Sequence, residues 1–357
     1  MIINPSRLAK TAGFLLSLVA LFPIPVQAQK NGVRLLKNEA EQKVEVYFGE
    51  ELFTAYYYPE TIEKPVLYPI KASGGIEITR GFPLAPRPGE RIDHPHHIGH
   101  WMNYGDVNGL DFWNNSSAIP ADKKSKYGTI RHTGITALKE GKKQGVLEVT
   151  MDWLAPTGQV LIKEKTQFVF SQEGDKRIID RITTLEAQDS EVNFKDNKEG
   201  VFAIRMARGL EHPSNKPELF TDSNGIPTTV ASLNNEGVSG NYRSSNGKEG
   251  EAVWGTRGTW VSLDGIVAQK KISVVILDNP KNPGYPTFWH ARGYGLFAAN
   301  PLGQKEFSGG KEVLNFRLNA RESTTFKYRI LVYSGENPSE EQLAAESTKF
   351  GGDLLRY

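Results

Sequence analysis

Stretches in which apolar and polar residues alternate with a period of two dominate this chain. In residues 145–154, GVLEVTMDWL, every second residue from Leu147 to Trp153 is apolar, and the residues between them are polar. This alternation predicts a half-buried antiparallel strand, because successive side chains of a strand point to opposite faces. The same pattern recurs in VLIKEKTQFVF, KRIIDRITTL, KISVVIL, VLNFRL and TTFKYRILVY. The predicted fold is therefore all-β, a large antiparallel β-sandwich.

One helix is predicted near the C-terminus. Ser339 and Gln342 have the spacing of a capping box, and Gly351 follows EEQLAAESTKF where a helix would end. The polar stretch 234–252 is interpreted as a loop, because strand patterns resume on both sides of it. We therefore expect residues 29–357 to form a single β-sandwich domain with a short C-terminal helix. Two sandwich halves are the alternative.

The first 28 residues are predicted to be a signal peptide. Arg7 and Lys10 precede an apolar run at 13–26 that is followed by the small residue Ala28. This is the layout of a secretory leader. A membrane anchor is the alternative, but the run is short and two prolines interrupt it. The protein is accordingly expected in the periplasm or outside a bacterial cell.

Composition narrows the classes of function. The chain has no cysteine, which excludes disulfides, cysteine-ligated zinc and a thiol nucleophile. Beyond the leader, 41 Lys and Arg balance 41 Asp and Glu without a basic run, so the sequence offers no electrostatic surface for nucleic acid. No later apolar segment approaches the roughly 20 residues of a transmembrane helix. The expected partners are small polar molecules such as carbohydrates, with no nucleic acid and no membrane span.

Histidine is concentrated in one stretch, GERIDHPHHIGHWMNYGDVNGLDFW at 89–113. Four of the seven histidines lie there within seven positions, namely His94, His96, His97 and His100. Pro95 favours a loop over a central strand. An extended backbone would place His94 and His96 on one face, whereas a polyproline helix would align His94, His97 and His100. Such imidazoles suit acid–base catalysis or a divalent metal, and a hydrogen-bonded structural loop is the plainer interpretation.

Carboxylates and tryptophans accompany these histidines. Asp93 is predicted to orient one imidazole. Trp101 and Trp113 suit a sugar ring, which presents an apolar face and polar edges. The spacing of Asp106 and Asp111 does not match an EF-hand, and they are candidate substrate ligands or the acceptors of Asx-turns.

A second charged stretch is FKDNKEGVFAIRMARGLEHP at 194–213. In an extended FAIRMA segment, Phe202, Ile204 and Met206 share one face, and Arg205 lies on the other. Glu199 or Glu211 could serve as a general acid or base while Arg205 holds the substrate. A solvated strand face with routine ion pairs is the alternative.

The third stretch is NPGYPTFWHARGYGLFAANPLG at 282–303. Aromatic residues, including Trp289, crowd His290 and Arg292 between glycines and prolines, in a composition typical of functional loops. His290 is the best candidate to face the distant histidines, ahead of His132. A packed aromatic corner is the alternative.

These stretches together resemble a known family. PGERIDHPHHIGHWMNYGDVNGLDFW, KEGVFAIRMA, WGTRGTWVSLDG and the third stretch are similar, in order, to blocks of the DUF6807 group of secreted bacterial proteins, labelled PmoA-like or "methane oxygenase PmoA". The likeness covers most of the chain beyond the leader. The label itself does not fit, because a methane monooxygenase membrane subunit is a multi-span helical protein. The resemblance implies a protein found among carbohydrate-degrading genes, with a sandwich of the galactose-mutarotase-like kind in which His, Arg and carboxylates line a sugar cleft.

We therefore expect a secreted carbohydrate-active enzyme, a hydrolase or lyase that acts on a glycoside or modified sugar. The predicted catalytic residues are Asp93, His94, His96, His97, Glu199, Glu211 and His290. The predicted substrate-binding residues are Trp101, Asp106, Asp111, Trp113, Arg205, Trp289 and Arg292. One alternative is an enzyme that holds a divalent metal with His94, His96, His97 and His290. Another is a non-catalytic glycan-binding protein.

Overall fold

Two large antiparallel sheets pack face to face. The computed structural model describes residues 1–2, 32–221, 226–230 and 234–352, so the predicted signal peptide lies outside the described residues apart from its first two positions. The nine-stranded first sheet consists of β1 (Val33–Asn38), β2 (Lys43–Phe48), β3 (Glu51–Tyr57), β4 (Val66–Ala72), β5 (Ile76–Glu77), β6 (His100–Tyr104), β12 (Gly200–Arg205), β18 (Phe288–Arg292) and β19 (Leu296–Asn300). Its strand order is β1-β2-β3-β4-β6-β12-β19-β18, with β5 beside β4.

The second sheet has eight strands in the order β15-β16-β17-β21-β10-β9-β8-β7. They are β7 (Thr129–Lys139), β8 (Gln144–Leu154), β9 (Val160–Glu173), β10 (Lys176–Ala187), β15 (Asn241–Ser244), β16 (Trp260–Val267), β17 (Lys270–Asp278) and β21 (Ser323–Ser334). Two short pairs join β11 (Val192–Phe194) to β20 (Phe316–Leu318) and β13 (Glu218–Thr221) to β14 (Pro227–Val230). The α-helices are α1 (Gln304–Phe307) and α2 (Glu340–Gly352), and 3-10 turns lie at Ala121–Lys126, Arg208–Leu210 and Gly250–Val253. In the part of the chain that the structure describes, no helix is long and apolar enough to cross a membrane.

The predicted strand alternation is confirmed in β8. Leu147, Val149, Met151 and Trp153 are at most 3% exposed and belong to the core between the two sheets. The predicted all-β sandwich is thus confirmed. The segment VLNFRL differs, since only Phe316–Leu318 forms a strand. The carboxylate of Asp196 accepts the backbone N–H groups of Leu314 and Asn315 at 2.9 and 3.1 Å, so these two donors are satisfied outside a sheet ladder.

The first sheet has an inner and an outer apolar face. On β12, Phe202 and Ile204 join the core between the sheets, as predicted for the FAIRMA segment. Ala203, between them, points outward and packs with Trp101 of β6 in a separate apolar cluster. The period of two therefore directs every second residue of these strands to the outer face. The connections 78–99 and 105–128 contribute Ile98 and Trp113 to that cluster, and so cover the outer face.

The C-terminal helix covers the outer face of the second sheet. Leu343 and Phe350 of α2 are buried against Trp260 and Leu331. The predicted capping box is present, because the Ser339 N–H donates to Oε1 of Gln342 at 2.7 Å and the Gln342 N–H donates to Oγ of Ser339 at 3.3 Å. The helix extends one residue beyond Gly351.

Replacing this cap gives a first testable prediction. Ser339→Ala is expected to lower the free energy of unfolding by about 1 kcal/mol, because a helix N–H loses its acceptor. Urea denaturation followed by circular dichroism measures the change. Ser190→Ala, in an exposed turn, is the control and should leave the midpoint unchanged. Equal stability of the two variants would contradict a stabilising role for the cap.

Candidate active site

Three of the clustered histidines lie in a tight turn over the outer face of the first sheet. The N–H of His97 donates to the carbonyl of His94 at 3.0 Å, and His94 has a φ of 44°. The rings of His94 and His97 consequently lie parallel, with 4.8 Å between their centroids. The backbone is a turn at this point, so it matches neither the extended nor the polyproline arrangement considered for this sequence.

The fourth histidine, His100, does not join the others. It begins β6 and is fully buried on the inner side of the sheet, where its ring packs on Phe202. Its Nδ1 hydrogen-bonds the carbonyl of Ala203 at 2.9 Å, and its Nε2 accepts a hydrogen from Arg181 at 3.2 Å. His100 is therefore a hydrogen-bonded core residue, in agreement with the structural alternative.

Asp93 is the centre of the charge network in this turn. Its Oδ1 accepts hydrogens from Arg80 and Arg205, each at 2.6 Å, and its Oδ2 lies 2.7 Å from Nδ1 of His94. Burial alone would raise the pKa of Asp93. The hydrogen bond to His94 and the charges of Arg205 and Arg80 outweigh burial and hold this pKa well below its usual value. Asp93 is thus an anion fixed by two buried guanidinium groups.

His94 is oriented for acid–base chemistry. Because Asp93 accepts the hydrogen on Nδ1, the neutral ring presents Nε2 as its free acceptor. The side chain is 41% exposed, and its ring also stacks on Tyr294 at 5.2 Å. His94 therefore combines an anionic orienting partner, fixed ring planes and access to solvent, as a general base requires.

His96 and His97 lie beneath this exposed ring. Burial, with the neighbouring cation Lys64, lowers the pKa of His96 to about 2. Burial also lowers the pKa of His97 well below its ordinary value, and Nδ1 of His97 accepts a hydrogen from Arg205 at 3.1 Å. Both rings are therefore neutral. Nε2 of each is buried and has no hydrogen-bond partner among the described residues.

Trp101 and Trp113 form the floor of the turn. Both are 0% exposed, the ring of His97 stacks on Trp101 at 5.1 Å, and the edge of Trp113 meets His97 at 5.7 Å. They were predicted to bind substrate. The structure instead buries both indoles beneath the histidine turn, because the connections 78–99 and 105–128 cover this side of the sheet.

Tyr294 stacks on His94, and charge interactions connect Glu199 with Tyr294 and His94 with His290. Oε2 of Glu199 lies 4.0 Å from Nδ1 of His290, and that nitrogen hydrogen-bonds the carbonyl of Lys198 at 2.9 Å. Burial, followed by the charges of Lys198 and Arg292, lowers the pKa of His290 to about 3, and a charge on His94 adds to this effect. A charge on His94 thus reaches His290, whereas His132 lies on β7 and bonds Tyr56.

Tyr294 packs against both His94 and Arg205. Its ring stacks on His94 and lies 4.8 Å from the guanidinium carbon of Arg205. Burial raises the pKa of Tyr294 to about 12, against the effect of Arg205. No described residue hydrogen-bonds its hydroxyl group. Tyr294 therefore has a free hydroxyl beside His94, and charges on Glu199 and Asp93 reach it.

The remaining predicted residues lie elsewhere or have structural partners. Glu211 is buried and bonds Arg91 and Arg208, each at 2.6 Å, and burial raises its pKa despite these cations. Trp289 points into the core between the sheets and donates to the carbonyl of Gly258 at 3.2 Å. Arg292 is exposed, and its guanidinium carbon lies 5.9 Å from the centroid of the Tyr294 ring.

Asp106 and Asp111 serve the local backbone. Oδ1 of Asp106 accepts the N–H of Gly109 at 3.0 Å, and the two oxygens of Asp111 accept the backbone and side-chain N–H groups of Asn114 at 2.9 and 2.7 Å. Both aspartates therefore hold the backbone three residues further along the chain, one residue beyond the Asx-turn considered as their alternative role.

The predicted metal ligands do not converge. Across the described ranges, no group of three or more His, Cys, Asp or Glu side chains has an arrangement that could hold a metal ion. His94 and His97 are parallel, so their nitrogens do not point at a common centre. In this conformation the imidazoles suit proton transfer better than ligation.

Two important residues escaped the sequence analysis as site residues. Arg80 donates to the carboxylate of Asp93 and to the carbonyl groups of Asp93, His94 and His97 at 2.6–3.1 Å. Nothing in the sequence ITRGF distinguishes it from a surface arginine. Tyr294 belongs to the third stretch, where its proximity to His290 in the sequence was a usable signal.

Comparison with known proteins identifies the family. A model of the family of unknown function DUF6807 matches residues 43–348, which include the histidine turn. The chain belongs to this family. No curated protein matches it in sequence. Membership agrees with the resemblance of the histidine and arginine blocks, and it adds no activity, since the family has none assigned.

Several solved structures align with most of this chain at low sequence identity. The galactosidase domain of an α-galactosidase–sucrose kinase, AgaSK, aligns with a TM-score of 0.40 and 9% identity over 84% of this chain and 41% of that chain. An α-galactosidase AgaA from Geobacillus stearothermophilus aligns with a TM-score of 0.39 and 10% identity, over 85% of this chain and 40% of that chain. A galactose 1-epimerase from Lactobacillus acidophilus aligns with a TM-score of 0.35 and 10% identity, over 86% of this chain and 99% of that chain. The chain spans about two fifths of the galactosidases, and similarity this distant does not assign a reaction or substrate.

Proposed function

We propose that this protein is a secreted, carbohydrate-active lyase of the bacterial periplasm or exterior. In this proposal, the Asp93–His94 pair removes a proton from a modified sugar. The observation that carries the proposal is the exposed imidazole whose Nδ1 lies 2.7 Å from a carboxylate fixed by two arginines. An orienting carboxylate of this kind selects the tautomer that leaves Nε2 basic.

The proposed reaction is an elimination. Nε2 of His94 takes the proton from a carbon next to a carbonyl or carboxyl group. The electron pair of that C–H bond forms a C=C bond as the C–O bond at the next carbon breaks. The Tyr294 hydroxyl donates its proton to the departing oxygen, while Glu199 accepts a hydrogen bond from a substrate hydroxyl. The free hydroxyl of Tyr294 and its stacking on His94 support this assignment.

Hydrolysis by two carboxylates is less well supported. Such enzymes need two carboxyl groups facing the scissile bond. Both oxygens of Asp93 already have close partners, and Glu211 is buried between arginines. Of the predicted catalytic carboxylates, Glu199 is left as the only partly exposed one without a structural guanidinium partner. We therefore favour elimination, for which one base and one acid suffice.

A carbohydrate is the proposed substrate because Tyr294 stacks on His94 and lies within the charge interactions of Glu199 and Arg292. Glu199, Tyr294 and Arg292 supply a carboxylate, a hydroxyl and a guanidinium, which together can bind several hydroxyl groups of a ring. The test is incubation with polysaccharides, oligosaccharides and keto-sugars, followed by ultraviolet absorbance and mass spectrometry. An unsaturated product supports elimination. Products increased in mass by water would replace it with hydrolysis, and binding without any product would favour a glycan-binding module.

Tyr294 provides a specific prediction for this reaction. Tyr294→Phe keeps the ring stack but removes the proposed proton donor, so kcat is expected to fall about 10²-fold with little change in KM. Steady-state rates of product formation measure this effect. Tyr285→Phe, in the same stretch but beside Asp278, is the matched control and should retain the wild-type rate. A normal rate for Tyr294→Phe would remove Tyr294 from the mechanism.

A further inference from the structure

A cavity of about 230 Å³ lies next to the histidine turn. Its lining comes from four separate segments, at residues 61–64, 83–84, 95, 96 and 98, and 115–117. The proposed elimination uses none of its side chains. Its volume is below the roughly 300–1,000 Å³ typical of pockets for drug-sized molecules, so a ligand for it would be small.

The cavity contains a buried lysine that is incompletely hydrogen-bonded. Lys64 is 3% exposed, and its Nζ donates one hydrogen to the carbonyl of His96 at 2.8 Å. Nζ also lies 5.5 Å from the ring centroid of Trp101. An ammonium group has three hydrogens. The described residues supply no other hydrogen-bond acceptor and no salt-bridge partner for this one, so two donor positions remain for a ligand.

The nearby carboxylates are committed to other groups. Glu63 bonds Lys124 at 2.7 Å and pairs with Arg131 at 3.2 Å. Asp111 accepts the two N–H groups of Asn114. Both carboxylates act on Lys64 only through longer-range charge. A buried ammonium without a close anion is costly, and an entering anion would offset that cost.

Two further polar atoms lack protein partners. Nε2 of His96 is buried in a side chain that is nine-tenths buried and lines the cavity, and no described residue bonds it. Ser116 is also buried and lines the cavity, and its hydroxyl has no bond to a described residue. Buried polar groups in proteins are nearly always satisfied. A cation, an imidazole nitrogen and a hydroxyl in one small cavity therefore match a ligand with a carboxylate and hydroxyl groups.

We propose that this cavity binds a small hydroxy acid of the uronic or aldonic type. The ligand carboxylate pairs with Lys64, and its hydroxyl groups bond Nε2 of His96 and the hydroxyl of Ser116. The proposal rests on the geometry of the cavity and is independent of the elimination at His94.

The ionisation of Lys64 makes the proposal sensitive to pH. Burial lowers the pKa of Lys64 to about 7, although Asp111 and Glu63 oppose this shift. A bound carboxylate favours the charged lysine and raises its pKa, so the bound state holds more protons above pH 7. Affinity is therefore fully present below pH 7 and declines by about tenfold per pH unit above it. Glu63, Asp111 and His96 also interact with Lys64. A variant that lacks the lysine is therefore needed to show that the pH dependence of affinity comes from Lys64.

Isothermal titration calorimetry with D-glucuronate tests the proposal, with D-glucose as the neutral control. Wild-type protein is expected to bind glucuronate and not glucose, with roughly 20- to 30-fold weaker affinity at pH 8.5 than at pH 6.5. Lys64→Met should weaken binding at least tenfold and abolish the pH dependence. Lys165→Met, an exposed lysine paired with Glu148, should bind like wild type.

Further variants keep the outcome decisive. Ser116→Ala is expected to weaken binding several-fold, and it reports on the cavity even if Lys64→Met fails to fold. His94→Gln should greatly slow elimination but retain glucuronate binding, so a failure of one proposal can be told apart from a failure of the other. Equal binding of glucose, unchanged affinity in Lys64→Met, or a pH-independent affinity would each overturn the proposal. A borohydride-trapped adduct on Lys64 would replace the ion pair with imine chemistry.

Discussion

His94→Gln is expected to lower kcat by about 10³- to 10⁴-fold. Glutamine retains a polar side chain of similar size but cannot act as a base, and the contribution of a general base is typically about 10²- to 10⁴-fold. We expect the upper part of this range because His94 is the one exposed imidazole of the turn, while His96 and His97 are buried and neutral. Single-turnover rates on the substrate identified from the panel measure the loss.

The control for this variant is His132→Gln. His132 is also partly buried, but it lies on β7 of the second sheet and bonds Tyr56. His132→Gln should leave kcat unchanged. Thermal denaturation should show that both variants are folded, since the Nδ1 of His94 is bonded to an already well-anchored Asp93. Full activity of folded His94→Gln would overturn the proposed base.

Asp93→Asn is expected to have the second largest effect, on stability as well as on activity. Removing the charge leaves Arg80 and Arg205 buried without their shared anion. Breaking a buried ion pair on one side typically costs about 3–5 kcal/mol, and the asparagine oxygen can still accept one hydrogen bond, so we expect about 3 kcal/mol. Urea denaturation at pH 7 measures this loss. Asp189→Asn, an exposed carboxylate paired with Arg321, should change stability little.

The stability of the wild-type protein and of Asp93→Asn should also depend differently on pH. The pKa of Asp93 is lower in the folded protein than its ordinary value near 4, so its charge stabilises the folded state above pH 4. That contribution is lost as the pH falls below 4 toward the folded-state pKa. Wild-type protein should therefore lose more stability than Asp93→Asn between pH 4 and pH 2. Parallel pH profiles for the two proteins would contradict the assignment.

Local patterns in the sequence predicted much of the fold. The alternation in β8 and in FAIRMA gave the correct buried faces, and the Ser339–Gln342 spacing gave the helix cap. These features depend on neighbours a few residues apart. The length of the short strand β20 was overestimated, because a distant carboxylate, Asp196, accepts the backbone N–H groups that precede it.

The candidate site was only partly predictable, because it is built from distant segments. Asp93 meets Arg205 across 112 positions of the sequence, and that contact requires both the pairing of β6 with β12 and the path of 78–99. The burial of Trp101 likewise depends on loops whose course no periodicity specifies. Composition indicated which residues were unusual, and tertiary structure decided which of them face solvent.

The five hydrogen bonds of Arg80 hold the histidine turn in place before any ligand binds. This one side chain holds the backbone of the histidine turn at several carbonyl groups and also holds the carboxylate of Asp93. The imidazole is thus in position before any substrate arrives, and little conformational entropy is lost when substrate binds. In the proposed elimination, binding free energy can then go to aligning the substrate, so free and ligand-bound crystal forms should superimpose closely at residues 93–97.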